Sequence, residues 1–422
     1  MHYFHYKNKE LFCEEVPLRA IARRVETPFY VYSYRTLKRH FKAFDSAFAQ
    51  APHLTCYSVK ANSNLAVLRA FFNLGAGADI VSGGELMRAL NAGADPRKIV
   101  FSGVGKKKEE IEYALDSDIL LFNVESSQEL KIINLIARKA GKVARIALRI
   151  NPDIDPSTHP YITTGLNENK FGIDIKTSLQ QYREARKLKN LEIVGVDCHI
   201  GSQLTDIAPF IDALRSIKDL IFQLKKEGIN ISYLDLGGGL GITYSEETPP
   251  HPKQYARALL KELKGMKCTL ILEPGRVLTG NAGIIVTRVL YTKKSEKKNF
   301  VIVDAGMNDL IRPSLYGAFQ EIVPVKISRA REIVVDVVGP ICETGDFLAR
   351  DRRLPRFRPG EFLAVMSSGA YGFVMSSNYN SRARAAEVMV SGKDFYVVRE
   401  HESYEDLIRG ESIPEFLNPK RR

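Results

Sequence analysis

The chain has 422 residues, too many for one ordinary compact domain, and its 45% hydrophobic and 26% charged residues are typical of a globular protein. No apolar run approaches the roughly 20 residues of a membrane span, and the opening MHYFHYKNKELFCEEV lacks the apolar core of a secretory signal, so a cytoplasmic protein is expected. The net charge of +12 is spread in short clusters such as Lys106-Lys107-Lys108, and the five cysteines are scattered without a CxxC pair. Neither a nucleic-acid partner nor a metal is expected.

Between residues 54 and 275, short apolar runs alternate with segments of helical spacing, the mark of a parallel sheet. The strands predicted are LTCYSV (54–59), ADIVS (78–82), IVFSG (99–103), ILLFNV (119–124), RIALRI (145–150), EIVGVDCHI (192–200), ISYLDLG (231–237) and TLILEPG (269–275). Helices lie between them. In ESSQELKIINLIARKAG, Leu130, Ile133, Ile136 and Ala137 recur at helical spacing before a stop at Gly141, and GGELMRALNAG closes in the same way at Gly93. Strands and helices alternating in this number fit a (β/α)8 TIM-type barrel better than an open doubly wound sheet. After about residue 280 the runs GIIVTRVLYTK, NFVIVDAG, EIVPVKIS, REIVVDVVG, EFLAVMSSGAYG and AAEVMVSGKDFYVV predict a mostly antiparallel β-sandwich or β-barrel domain. The expected division is a barrel over 28–280, with 1–27 and 281–422 forming the β domain.

Chemistry in such a barrel collects at the C-terminal ends of the strands. There the chain supplies Lys60, Gly83-Gly84-Glu85, His199-Ile200-Gly201-Ser202, Gly237-Gly238-Gly239 and Glu273-Pro274-Gly275-Arg276. Each has an ordinary reading. Lys60 suits a solvated lysine leaving the sheet, His199 a packed imidazole, the glycines a flexible loop, and Glu273 a turn carboxylate. Cys342, in GPICETGD (339–346), suits a small core residue, although its neighbours are polar and acidic. The functional readings are a pocket lysine whose pKa desolvation lowers so that it forms Schiff bases, and a phosphate site of bare backbone N–H groups after the seventh strand.

Taken together, YSVKAN (57–62), SGGEL (82–86), RINPDIDPSTHPYITTGLNENKFGI (149–173), HIGSQ (199–203), LGGGLGI (236–242), EPGR (273–276), DAGMNDLIRPSLYGA (304–318), GPICETGD (339–346) and GAYGFVMSSNYNSRARAAEVMV (369–390) resemble the diaminopimelate decarboxylases. These belong to a wider family of barrel-type pyridoxal-phosphate decarboxylases, and the resemblance runs from about residue 28 to about residue 415. It implies pyridoxal 5'-phosphate held by Lys60 as an aldimine, with His199 on the ring face and Glu273 toward the pyridine nitrogen. Gly238, Gly239 and the backbone at Gly275-Arg276 would hold the phosphate, and Asp79, Ser202 and Tyr371 would complete the cofactor environment.

Substrate groups would come from Arg276, Arg312, Tyr316 and Tyr371. Cys342, as proton donor, and Glu343, toward the distal amine, would be lent by the second subunit of a homodimer with shared active sites. The implied reaction is loss of CO2 from meso-2,6-diaminopimelate, through a quinonoid intermediate, to give L-lysine. The alternatives are a decarboxylase for ornithine, arginine, lysine or carboxynorspermidine, a racemase, or a non-catalytic pyridoxal-phosphate-binding protein. Two departures from the family pattern, Phe319-Gln320 where Tyr-His is common and Gly103-Val104-Gly105-Lys106, are expected to touch no named role.

Overall fold

The computed structural model describes residues 2–154 and 170–418. All eight predicted barrel strands are present: His53–Ser58, Gly77–Ile80, Ile99–Phe101, Leu121–Val124, Ala144–Asn151, Leu191–Asp197, Tyr233–Asp235 and Thr269–Leu272. Each pairs in parallel with the next, and the eighth pairs with the first, which closes the barrel. Helices cover the outer face, so the strands are buried on both sides, which is why they read as continuous apolar runs. Ile99, Val100 and Phe101, for example, are wholly inaccessible.

Local signals set the helix ends. Ser82 and Ser126 each accept a backbone N–H three residues on, from Glu85 and Glu129, whose carboxylates reach back to the N–H groups of Val81 and Glu125. Part of the SGGEL motif is therefore a helix start. Gly93 and Gly141 close the helices Gly83–Asn91 and Ser127–Lys139 at φ of +84° and +65°. Of the long motif at 149–173, residues 155–169 lie outside the described residues.

Most of the remaining strands form a second, mostly antiparallel sheet, while Phe4–Lys7, Glu10–Cys13 and Val16–Pro17 make a small sheet of their own. Gly283–Lys294 is its spine, pairing with Phe29–Ser33, Phe362–Val365 and Asn299–Val303. The single run predicted at AAEVMVSGKDFYVV is a hairpin, Ala386–Ser391 and Asp394–Arg399, turning at Gly392. Phe29–Ser33 falls inside the expected barrel range, yet it is hydrogen-bonded between Gly283–Lys294 and Ala386–Ser391. The expected boundary at 28 therefore cuts before a strand of the second sheet, because Phe29, Tyr30 and Val31 bury between two distant segments that periodicity cannot pair. An arginine-rich strand, Phe347–Pro355, was not anticipated; its exposed face breaks the apolar pattern.

The two units meet on backbone. Gly369 N–H donates to Gly280 O, Asn62 Nδ2 donates to Gly369 O, and Tyr371 N–H donates to Ala61 O, which fixes Tyr371 beside the end of the first barrel strand. A Cβ on Gly369 would lie 2.0 Å from Thr279 O. Gly369→Ala should therefore destabilise the fold by about 1–3 kcal/mol or more through overpacking. Thermal unfolding checks this, and a midpoint equal to the parent's would contradict the seam as described.

Candidate active site

The last inward-facing residue of most barrel strands is polar and buried: Asp79, Asn123, Arg149, Asp197, Asp235 and Glu273. Asn123 Nδ2 donates to Asp235 Oδ2 and to Ser102 Oγ at 3.0 Å, and to Glu273 Oε1 at 3.4 Å. Burial, then Asp197, pushes the Asp235 carboxyl up to about 7. Burial, then Asp235 and Asp79, push the Glu273 carboxyl well above its ordinary pKa. Asp197 is raised in the same way, by burial and by Glu273, against the pull of Arg149.

Lys60 sits two residues past the first strand, ion-paired to Asp79, which also accepts from Ser58 Oγ at 2.8 Å. Burial favours its neutral form, but Asp79, Glu273 and Tyr371 outweigh it, and the Lys60 pKa stands above the ordinary lysine value. The lowered pKa expected from desolvation alone is thus corrected. The carboxylate on the neighbouring strand decides the sign.

His199 Nδ1 accepts the Gly238 N–H at 3.1 Å, which leaves the proton of a neutral ring on Nε2. Burial, then Arg149 and Lys60, hold His199 well below its ordinary pKa, so the ring is neutral. A Cβ on Gly237 would meet His199 Nδ1 at 2.5 Å, on Gly238 the Glu273 carbonyl oxygen at 2.3 Å, and on Gly239 the Gly201 carbonyl oxygen at 2.5 Å. The run admits no side chain. Gly275 opens the short helix Arg276–Thr279, and its Cβ position is closed by Ala61 and Ser58 at 3.0 and 3.1 Å.

These groups line an inner pocket that contains Lys60, His199, Ser202, Gly237, Gly238, Gly239, Glu273, Gly275, Arg276 and Tyr371. It shares Lys60, His199, Ser202, Arg276 and Tyr371 with a larger outer cleft, to which Arg312, Tyr316 and Tyr244 contribute. Arg276 donates to Tyr244 Oη at 2.7 Å and Ser202 Oγ at 3.0 Å, and lies 4.8 Å from the Tyr371 ring. Arg312 stacks 4.5 Å from the Tyr244 ring and donates to the Gln320 side-chain oxygen at 2.7 Å. Among the described residues neither guanidinium is hydrogen-bonded to a carboxylate.

Cys342 and Glu343 are exposed and line neither cavity; the Cys342 N–H donates to Asn380 Oδ1 at 2.6 Å. The structure thus gathers every other predicted site residue around one opening and leaves this pair apart. Sequence reasoning missed Tyr244, which holds both arginines, the Ser102-Asn123-Asp235 set around Glu273, and Glu247 on the outer wall. Their positions at or after strand ends were the available signal. The expectation that Phe319-Gln320 touches no named role is also corrected. Gln320 is wholly buried against Arg312, and Phe319 lines the outer cleft.

The barrel and its cavity define a class, enzymes that carry a carbonyl cofactor on a strand-end lysine beneath a glycine-lined phosphate cradle. The family model for the pyridoxal-dependent decarboxylase pyridoxal-binding domain matches residues 34–280. The diaminopimelate decarboxylase of Haemophilus influenzae is 53% identical over 409 residues, covering 96% of this chain and 98% of the relative. That of Vibrio cholerae is 54% identical over 415 residues, covering 98% and 99%. The Helicobacter pylori diaminopimelate decarboxylase complexed with L-lysine superposes with a TM-score of 0.90 at 46% identity, covering 93% of this chain and 98% of that one. The chain belongs to the diaminopimelate decarboxylase family, and its cofactor is pyridoxal phosphate.

The residues present fit that cofactor. Gly237, Gly238 and Gly239 line the inner pocket with bare backbone, the lining a phosphate group needs. Arg276 Nε is buried without a partner, and the excess of acid around Glu273 suits a protonated ring nitrogen.

The neutral His199 has a consequence for stability. The unfolded imidazole binds a proton below about pH 6.5 and the folded one does not, so unfolding takes up a proton in acid and stability falls as pH drops through that value. The raised carboxyls act with the opposite sign, so the His199 part is read by difference. His199→Gln should lose less thermal stability than the parent between about pH 7.5 and pH 5. An equal loss would mean that His199 protonates within the fold.

Proposed function

We propose that this protein decarboxylates meso-2,6-diaminopimelate to L-lysine and CO2, the last step of lysine biosynthesis. The observation that carries this is the outer cleft, where Lys60 shares one cavity with two guanidiniums that, among the described residues, are hydrogen-bonded to neutral groups. Diaminopimelate brings two carboxylates, which suits planar bidentate recognition by Arg276 and Arg312. A basic amino acid with a single carboxylate would leave one guanidinium buried and unpaired.

When bound, pyridoxal phosphate supplies an aldehyde that takes up amines and a ring that accepts the electron pair left by CO2. Lys60 is the lysine lining both cavities, so it is the residue assigned to hold the cofactor and to release product. Glu273, with Asn123 and Asp235 around it, would hold the protonated ring nitrogen. His199 would pack against the cofactor ring, and Gly239 and the backbone at Gly275-Arg276, with Ser202, would hold the phosphate. The Gly238 N–H is engaged by His199, so Gly238 contributes space and ring orientation. Asp79 positions Lys60, and Tyr316 and Tyr371 wall the substrate.

Cys342 and Glu343 then serve a second subunit's site, Cys342 moving a proton to the α-carbon and Glu343 meeting the distal amine. Their exposure outside their own cavity supports a homodimer with shared sites. In this division of labour the barrel holds the cofactor, and the β unit brings Arg312, Tyr316, Tyr371, Cys342 and Glu343. No helix among the described residues is long and apolar enough to cross a membrane. Together with five free thiols this supports a cytoplasmic setting.

Two experiments test these roles. Lys60→Ala should abolish turnover, and borohydride should no longer fix cofactor to the protein; fixation in the variant would remove Lys60 from its role. Mixing inactive Lys60→Ala and Cys342→Ala proteins should restore up to about a quarter of parental activity, since a mixed dimer carries one intact site. No recovery after confirmed subunit exchange would contradict shared sites.

A further inference from the structure

Gln320 stands where the sequence departs from the family's common pattern, and its side chain is wholly buried. Its amide, in the orientation that satisfies both ends, accepts from Arg312 Nη1 at 2.7 Å and donates to Met366 O at 2.7 Å. The next residue continues the tie through backbone, with Met366 N–H donating to Glu321 O at 2.8 Å. Beyond it, Ile322–Pro324 pairs antiparallel with Phe362–Val365. Gln320 is therefore pinned by a strand pair, and it passes that rigidity to a guanidinium on the outer cleft.

The surroundings make the neutrality of this contact matter. Tyr244 stacks on Arg312, Tyr316, Tyr371 and Arg276 line the same cleft, and Glu247 is the carboxylate on that wall. Burial and the charge of Arg276 both work against the charge of Arg312. A carboxylate at 320 would relieve that strain by pairing with Arg312, and would thereby consume its charge. An amide holds the same nitrogen without neutralising it, and it does not titrate.

We propose that Gln320 is a positioning residue that fixes Arg312 for a substrate carboxylate and, being neutral, leaves its charge for that carboxylate. The proposal rests on the reading of Arg312 as a carboxylate-binding residue.

The test is steady-state kinetics of the pyridoxal-phosphate-loaded enzyme with meso-diaminopimelate. Gln320→Met keeps the volume but removes both polar ends. It should raise KM about tenfold, the worth of a hydrogen bond to a charged group, with kcat within about twofold and cofactor content unchanged. Gln320→Glu keeps the contact and pairs the charge, so KM should rise again. Gln320→His should restore a near-parental KM at pH 8.5, because a neutral ring can accept from Arg312 and donate to Met366 O. At pH 6 its KM should climb beyond the parent's as the imidazole protonates beside a cation.

Parental KM in the methionine variant, with only a lower thermal midpoint, would make Gln320 a packing residue and overturn the proposal. Should that variant fail to fold, the histidine variant decides, and a pH profile matching the parent's would overturn it. Arg312→Ala in the same assay separates the two readings. An unchanged KM there removes the carboxylate role of Arg312 itself; a raised KM with parental values in every Gln320 variant removes only the role of Gln320.

Discussion

The structure turns on an imbalance of buried charge at the mouth of the barrel. Asp79, Glu125, Asp197, Asp235 and Glu273 end or follow strands there and are nearly inaccessible, while Lys60 and Arg149 are the cations that meet them. Carboxyls so close cannot all ionise away from water. Asp235 and Glu273 are both pushed above the ordinary carboxylate range, and Lys60 remains an ammonium against Asp79. His199, facing Arg149 and Lys60 across the opening, is kept neutral. Satisfying this polar layer requires all its strand ends in register, which only a closed barrel provides.

The outer cleft obeys the opposite rule. Its guanidiniums are held by a phenol, a hydroxyl and an amide, none of which neutralises them. One cavity thus pairs an acidic floor with a cationic rim, a polarity suited to a ligand with a basic ring at one end and carboxylates at the other. The second sheet builds much of the rim, and the backbone contacts at Gly369 and Tyr371 fix it relative to Lys60. Cys342 and Glu343, exposed on that same unit, extend the logic to a second chain under the proposed dimer.

Much of this was legible in the sequence, for physical reasons. The barrel strands are short and buried on both faces, so they stand out as apolar runs with helical spacing between them. Strand ends drew attention to Lys60, His199, Glu273 and Arg276, because such a barrel does its chemistry there, but their roles came from the family resemblance. The pairing of Phe29–Ser33 was not legible, since its partners lie some 250 to 360 residues away. Tyr244, Asn123 and Gln320 were missed for a related reason. Each acts through contacts that span the fold, and none has a spacing that marks it. The pKa of Lys60 was misjudged in direction because desolvation can be argued from one strand, whereas Asp79 sits on the next.

The central claim, that this cavity removes a carboxylate from an amino acid bearing two, is tested most directly by product analysis. The purified protein with pyridoxal phosphate is incubated separately with meso-diaminopimelate, L-ornithine, L-arginine and L-lysine. Lysine and CO2 from diaminopimelate, with the other three unchanged, is the result expected from two guanidiniums that no carboxylate pairs among the described residues. Turnover of ornithine, arginine or lysine in its place would keep the cofactor but contradict the reading of the rim.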